Sequence, residues 1–322
     1  RDRLRSRGLG DVYKRQHSST TPLASNDETS KATKSRSDFW LNAKDKYYAW
    51  IFLGPSLLIL GVFIFYPMLK TLYLSLFLTN TVGKPTVFVG LANYINLLTS
   101  ADYLNSLAVT MVYVLAVTAI TIVLGLVLAN FASKQLAGIG IFRTLFSATI
   151  GVSVSVAAIF WLFIFNPSTG FLSLVSTWLH LPQIGWLTDP TWAMVAVIIT
   201  TVWMNLGFTF LILLGAMQSV PTTLYEAASI EGATPRYQLF HITIPMISPT
   251  LFFVSIITLI EGFKSFGLID LMTKGGPTNA TNMLVYRIYK DAFYSGNYAQ
   301  ASAESLLLTV IIAIFTLIQF KV

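Results

Sequence analysis

Residues 192–217 read WAMVAVIITTVWMNLGFTFLILLGAM, and these 26 positions contain no charged side chain. A helix that spans a membrane needs about 20 mostly apolar residues, so this stretch is long enough to cross a bilayer. The segment is bounded by Asp189 on one side and Glu226 on the other. It therefore predicts a transmembrane helix with polar connections at both ends.

Five other apolar runs flank this one, three before it and two after it. They lie at 47–66, between Asp102 and Lys134 (centred on 110–131), at 144–165, from near Thr250 past Glu261, and between Glu304 and Lys321. The pattern predicts an all-α membrane protein with six transmembrane helices over residues 47–322. The last run is short, so we expect the chain to lack a little of its carboxyl terminus. The Pro- and Gly-containing loop 166–191 is predicted to hold one short helix at 171–179.

The composition agrees with a protein that sits in lipid. Hydrophobic residues make up 54% of the chain and charged residues only 11%, whereas soluble domains carry about a quarter charged residues. The chain has no cysteine, which excludes disulfides and thiolate metal sites. The three histidines are scattered, and no metal site or cofactor is predicted.

Residues 1–46 form a basic segment that is predicted to be a disordered tail. Its cationic side chains are Arg1, Arg3, Arg5, Arg7, Lys14, Arg15, Lys31, Lys34, Arg36, Lys44 and Lys46. Beside an apolar segment such charge marks the cytoplasmic side of a membrane, and no nucleic-acid module follows, so we predict no nucleic-acid partner. Residues 1–16 have the character of a non-native leader, and we see no cleavable signal peptide.

Six spans then place both termini in the cytoplasm. Against the rule that basic residues lie on the cytoplasmic side, Lys274, Arg287 and Lys290 fall in an outer loop, but long loops follow this rule weakly.

The loop at 218–245, QSVPTTLYEAASIEGATPRYQLFHITIP, contains its own folding signals. Pro221 favours the start of a helix, and Thr223 and Glu226 have the spacing of a capping box. Gly232 can adopt the left-handed conformation that ends a helix. Thr234 and Pro235 then start a second helix. We predict a short helix, a tight turn and a second helix that returns to the membrane.

The spacing in this loop is EAA, three residues, G, nine residues, I, two residues and P, and it resembles the EAA loop of ABC importer permeases. The matching residues are Glu226, Ala227, Ala228, Gly232, Ile242 and Pro245, while Ile244 replaces a common Leu. In that family the loop forms a coupling helix that fits a cleft of the ATP-binding subunit. The resemblance implies the type I importer fold and an ATPase-coupling role for Glu226, Ala227, Ala228, Gly232 and Pro245. An alternative is that Glu226 only caps a helix and Gly232 only ends one.

A second stretch resembles the signature of carbohydrate-importer permeases related to the maltose and glycerol-phosphate systems. Its matching positions are Met272, Thr273, Gly275, Gly276, Pro277, Thr281, Ala292, Phe293, Ala301, Ser302 and Ala303, with 203–207 upstream. The resemblance implies a carrier for a sugar or related solute in the bacterial inner membrane, and it leaves the solute and the partner permease unidentified. The Gly-Gly-Pro stretch is read as a turn.

The resemblance also implies partners and a mechanism. They are a second homologous permease, a dimer of ATPase subunits, an extracytoplasmic solute-binding protein and the surrounding lipid, and they work by alternating access. The chain has no GxxxxGK[ST] loop, so we predict no ATP hydrolysis and no other enzyme activity on it. One alternative is a secondary transporter or channel, which leaves the EAA loop unexplained. A membrane-embedded enzyme is another, but we find no cluster of His, Asp or Glu.

Three polar residues inside the predicted spans are candidates for the translocation path. Glu261 lies about 16 Å along the fifth span, near mid-depth, where ionisable side chains usually face a cavity or a partner. Lys264 is three residues further and can pair with it. Asn205 is the third candidate. The alternatives are a structural ion pair for the first two and an interhelical hydrogen bond for Asn205.

Glycines within the spans are predicted to allow helices to approach closely rather than to take part in chemistry. The three that we single out are Gly125, Gly207 and Gly215.

Overall fold

The computed structural model of the protein describes residue 48 and residues 50–134 and 138–321. The predicted tail at 1–46, including 1–16, lies outside the described residues. The described residues up to Pro67 belong to one unit, and those from Met68 onward (the unit 68–322) form another. The sites discussed below all lie in the unit 68–322.

The described residues form thirteen helices and one small antiparallel sheet. The helices are α1 Trp50–Ser75, α2 Ala92–Thr99, α3 Ala101–Ala132, α4 Ile139–Gly151, α5 Val154–Phe165, α6 Phe171–Trp178, α7 Pro190–Gln218, α8 Thr222–Ile230, α9 Pro235–Met246, α10 Ser248–Phe263, α11 Gly267–Met272, α12 Leu284–Tyr289 and α13 Tyr298–Lys321. The strands are β1 Phe77–Thr79 and β2 Pro85–Phe88, paired with Phe77 opposite Phe88. Helix α6 confirms the short helix predicted in the loop 166–191.

Four of the described helices, α1, α3, α7 and α13, are long and apolar enough to cross a membrane. Two bent pairs, α4 with α5 at 110° and α9 with α10 at 72°, bring the number to six if each pair is one span. This agrees with the predicted six-span, all-α fold.

Two predicted span boundaries were wrong. The third span, predicted as one helix over 144–165, is broken because Val152 is extended and Ser153 caps a new helix. The Ser153 hydroxyl accepts from the Val156 amide.

The first span was predicted to stop before Pro67, but α1 continues to Ser75. A wider π-helical turn over Gly61–Phe65 precedes the proline. We attribute the continuation to this turn, since it relieves the clash between a proline ring and the preceding turn.

Close packing of α7 depends on glycine. A Cβ atom on Gly207 would lie 2.3 Å from Thr149 Oγ1 and 2.9 Å from the Phe146 carbonyl oxygen, and one on Gly125 would lie 2.6 Å from Thr209 Cγ2. The prediction of close approach is confirmed at these two glycines. It was wrong at Gly215, where no described atom lies within 4 Å of the added Cβ.

We expect the substitution Gly207→Ala to destabilise the protein by about 1–3 kcal/mol, because overpacking forces backbone and side chains to shift. The same substitution at Gly215, in the same helix, is the matched control, and it should be neutral or slightly stabilising since alanine favours helix. Thermal unfolding of both purified variants in detergent measures the difference. Equal stability of the two variants would contradict the packing argument.

Candidate functional site

The loop at 218–245 folds into a helix, a tight turn and a second helix, as its sequence predicts. Helix α8 ends at Ile230 with Glu231 as its C-cap, and Gly232 adopts a left-handed conformation with φ of 80°. The Gly232 amide donates to the Ser229 carbonyl oxygen at 3.1 Å, and the Ala233 amide donates to that of Ala228 at 2.9 Å. These two bonds are the Schellman motif, which satisfies the last carbonyls of a helix.

The start of the second helix also follows the prediction, whereas the start of the first does not. Thr234 caps α9, because its hydroxyl accepts from the Tyr237 amide at 3.3 Å. The predicted capping box of Thr223 with Glu226 was wrong. Helix α8 begins at Thr222 after Pro221, without a side-chain cap, so Thr223 already lies inside the helix.

The predicted coupling residues lie on an accessible surface. Glu226, Ala227, Gly232 and Pro245 are exposed, and Ala228 is half-buried. Close to them, Ile230 exposes 88% of its surface. The loop therefore presents small and apolar groups together with the carboxylates of Glu226 and Glu231.

The three residues predicted to lie on the path are brought together by the fold. Asn205 of α7, Glu261 of α10 and Lys264 line one cavity of about 120 Å³. Lys264 Nζ lies 2.9 Å from Glu261 Oε1, and both side chains are more than half exposed. Glu261 belongs to the last turn of α10, and Lys264 follows the end of that helix. The predicted pairing of Glu261 with Lys264 is confirmed.

A buried tyrosine behind this cavity was missed by sequence reasoning. The Tyr113 hydroxyl donates to Ser265 Oγ at 2.8 Å and is 2.7 Å from Thr201 Oγ1. Ser265 and Thr201 both line the cavity. Tyr113 thus links α3 to α7 and to the segment after α10. No sequence signal could have found it, since its partners are 88 and 152 residues away.

A buried ion pair was also missed. Arg287 Nε lies 2.8 Å from Glu304 Oε1, and the Glu304 side chain is completely buried. Asp291 is 3.6 Å from the same Arg287 nitrogen. A lone glutamate inside the apolar run of α13 was the available signal, because such a charge requires a partner.

The carbohydrate-importer signature forms a structural scaffold next to this ion pair. The Thr281 hydroxyl oxygen lies 2.7 Å from Thr273 Oγ1 and 2.8 Å from the Gly276 carbonyl oxygen, within hydrogen-bond distance of both. Lys274 and Gly275 both have positive φ, as expected of the turn that the sequence predicts. Ala301 and Ala303 are buried on α13. These signature positions therefore stabilise a turn and a helix contact.

The fold is similar to that of chains in two solved structures. One similar solved structure is described as a bacterial ABC transporter involved in the import of the acidic polysaccharide alginate. Its matching chain has a TM-score of 0.77 and 21% identity, with 88% of this chain and 97% of that chain covered. A second is the bacterial alginate ABC transporter in complex with alginate pentasaccharide-bound periplasmic protein, with a TM-score of 0.76 and 21% identity over 87% and 95% of the two chains.

The family model for the binding-protein-dependent transport system inner membrane component matches residues 121–321. Curated relatives include the sn-glycerol-3-phosphate transport system permease protein UgpA of Agrobacterium fabrum (strain C58 / ATCC 33970), 35% identical over 86% of this chain and 94% of that protein. The protein of the same name from Yersinia enterocolitica serotype O:8 / biotype 1B (strain NCTC 13174 / 8081) is 35% identical over 83% and 90%.

The chain therefore belongs to the binding-protein-dependent transport system inner membrane component family. This confirms the predicted permease subunit of an ATP-driven importer. Membership in a family of transport permeases also favours the importer over a membrane-embedded enzyme and over a secondary transporter or channel.

Proposed function

We propose that this chain forms half of a translocation path for a sugar or a related polyol derivative, with Asn205, Glu261 and Lys264 on the path. The remaining partners are a second homologous permease, a dimer of ATPase subunits and an extracytoplasmic solute-binding protein. The alginate transporter structure that includes a periplasmic protein supports the last of these. The basic amino-terminal tail at 1–46 supports a cytoplasmic amino terminus for the permease domain 47–322.

One observation carries the proposed path: Asn205 and the sequence-distant pair Glu261 and Lys264 line a single cavity. Their amide, carboxylate and ammonium groups offer donors and acceptors that match the hydroxyl groups of a polyol. The ammonium group of Lys264 also complements a phosphate ester. The name of the curated relatives makes sn-glycerol 3-phosphate the first solute to test.

The loop at 218–245 is proposed to couple the path to the ATPase. Binding of ATP would close the ATPase dimer and carry α8 with it, and the two permeases would switch between inward-facing and outward-facing states. The exposed surface formed by Glu226, Ala227 and Ile230 supports this docking. ATP hydrolysis would take place on the separate ATPase subunits.

We expect Glu261→Gln to lower kcat/KM for uptake by about tenfold, because a hydrogen bond to a charged group contributes about 1.5–3 kcal/mol. Assembly should be unaffected, since the pair with Lys264 is exposed and such pairs contribute at most about 1 kcal/mol. The measurement is uptake of labelled sn-glycerol 3-phosphate, and in parallel maltose, by the complete importer in proteoliposomes.

Asp102→Asn is the matched control for this experiment. It removes an exposed carboxylate at the first turn of α3, which does not line the cavity. Its uptake should equal that of the unmodified importer. Uptake and solute preference that are unchanged in Glu261→Gln would remove Glu261 from the path.

A further inference from the structure

Helix α8 is only loosely attached to the rest of the unit. A cavity of about 870 Å³ is lined by residues of α3, α4, α7, α8 and α9. None of the other described helices packs extensively against α8. Its position relative to its neighbours therefore depends on a few specific side-chain contacts.

One of these contacts is a hydrogen bond between two hydroxyl groups. Tyr225 Oη of α8 lies 2.9 Å from Thr243 Oγ1 of α9, and Thr243 is buried. The Thr243 hydroxyl donates to the Gln238 carbonyl oxygen at 3.3 Å. Since a hydroxyl has one proton, Tyr225 is the donor in the bond with Thr243.

A second contact joins the same two helices at the other end of α8. Gln238 Nε2 donates to Ser229 Oγ at 3.0 Å and is 3.4 Å from the Ala233 carbonyl oxygen. We call the two contacts, Tyr225–Thr243 and Ser229–Gln238, the α8–α9 brace. Together they fix both the distance and the tilt of α8 relative to α9.

Helix α9 leads directly to the proposed path. It bends at the buried residue Ile247 into α10, whose last turn carries Glu261. The 16 residues of α10 give it a length of about 24 Å. Helix α10 thus connects α9 to the cavity of Asn205, Glu261 and Lys264, and a displacement of α9 can reach the cavity through it.

We propose that Tyr225 and Thr243 are positioning residues that transmit the movement of α8 to α9 and α10. This inference rests on the proposed coupling function of the loop 218–245. With the hydroxyl bond in place, α8 and α9 move together. Without it, the large cavity beside α8 gives that helix room to move while α9 stays in place.

The test compares variants that remove or retain the bond in the complete importer. Thr243→Val and Tyr225→Phe each remove one hydroxyl with little change of shape, whereas Thr243→Ser retains the hydroxyl. The chain has no cysteine, so Met204→Cys places a single reporter thiol of this chain in the cavity wall. The rate at which a maleimide labels this thiol, with and without ATP, reports movement at the path without requiring a known solute.

We expect ATP to change the labelling rate in the parent and in Thr243→Ser. The ATP-dependent change should fall by about threefold to tenfold in Thr243→Val and in Tyr225→Phe, as expected for the loss of one hydrogen bond. The double variant Tyr225→Phe/Thr243→Val should resemble either single variant, because both remove the same bond. If the contact were purely structural, Thr243→Val would change the labelling rate equally with and without ATP, and this result would contradict the inference.

Two outcomes would overturn the inference and can be told apart. A full ATP response in both Thr243→Val and Tyr225→Phe, combined with a lost response in Gly232→Val, refutes the brace and leaves the coupling function standing. No ATP response in the parent, or a full response in all of these variants, contradicts the coupling function as well.

Discussion

Replacement of Gly232 by valine is expected to reduce ATP-driven uptake by about tenfold or more. Gly232 has φ of 80°, and no described atom lies within 4 Å of an added Cβ. The penalty therefore comes from the backbone, where left-handed geometry costs an L-residue roughly 1–2 kcal/mol and more when the side chain is β-branched. Strain of this size opens the Schellman turn and displaces α8 from the orientation that we propose for docking.

Asparagine at the same position provides the control, because it tolerates the left-handed region better than other side chains. Gly232→Asn should retain most of the uptake and should copurify with the ATPase as the parent does. Gly232→Val should lose uptake and bind the ATPase more weakly. If valine and asparagine prove equivalent, the geometry of this turn does not matter for coupling.

The substitution Arg287→Met is expected to destabilise the protein by about 3–5 kcal/mol. It leaves the carboxylate of Glu304, whose side chain is completely buried, without its partner at 2.8 Å. Removal of one member of a buried ion pair is costly because the remaining charge has lost its solvation by water and gained nothing in return. Denaturation in mixed micelles of mild detergent and SDS measures the loss.

The double substitution Arg287→Met/Glu304→Leu separates charge from packing. It should recover most of the stability, since an apolar pair of similar volume can replace a buried ion pair at little cost. Lys264→Met is the matched control at an exposed pair, and there the change should stay below about 1 kcal/mol. A double variant as unstable as Arg287→Met would show that shape, and not charge, governs this site.

The features that were predicted correctly from the sequence depend on neighbours along the chain. Six apolar runs predict the spans, and the turn at Gly232 follows from a local need for positive φ. Thr234 caps the next helix, which again requires only the residues beside it. The pairing of Glu261 with Lys264 is of the same kind, because the two residues are three positions apart along the chain.

The errors at helix boundaries have one cause, and the error at Gly215 has another. A capping-box spacing at Thr223 and a proline at position 67 each permit more than one helix boundary, and the choice depends on where the neighbouring turns form. Gly215 looked like Gly207 in sequence, but only Gly207 faces another helix closely. Which side of a uniformly apolar helix meets a neighbour is not encoded in its hydropathy.

The sequence by itself determined that this protein is a helical membrane permease and that residues 218–245 form a helix, a turn and a helix. Only the tertiary structure placed Asn205 beside Glu261, paired Arg287 with Glu304, and joined Tyr113 to Thr201 and Ser265. The physical reason is distance along the chain. Hydropathy and turn chemistry act over a few residues, whereas a hydrogen bond or ion pair between helices depends on how whole spans pack.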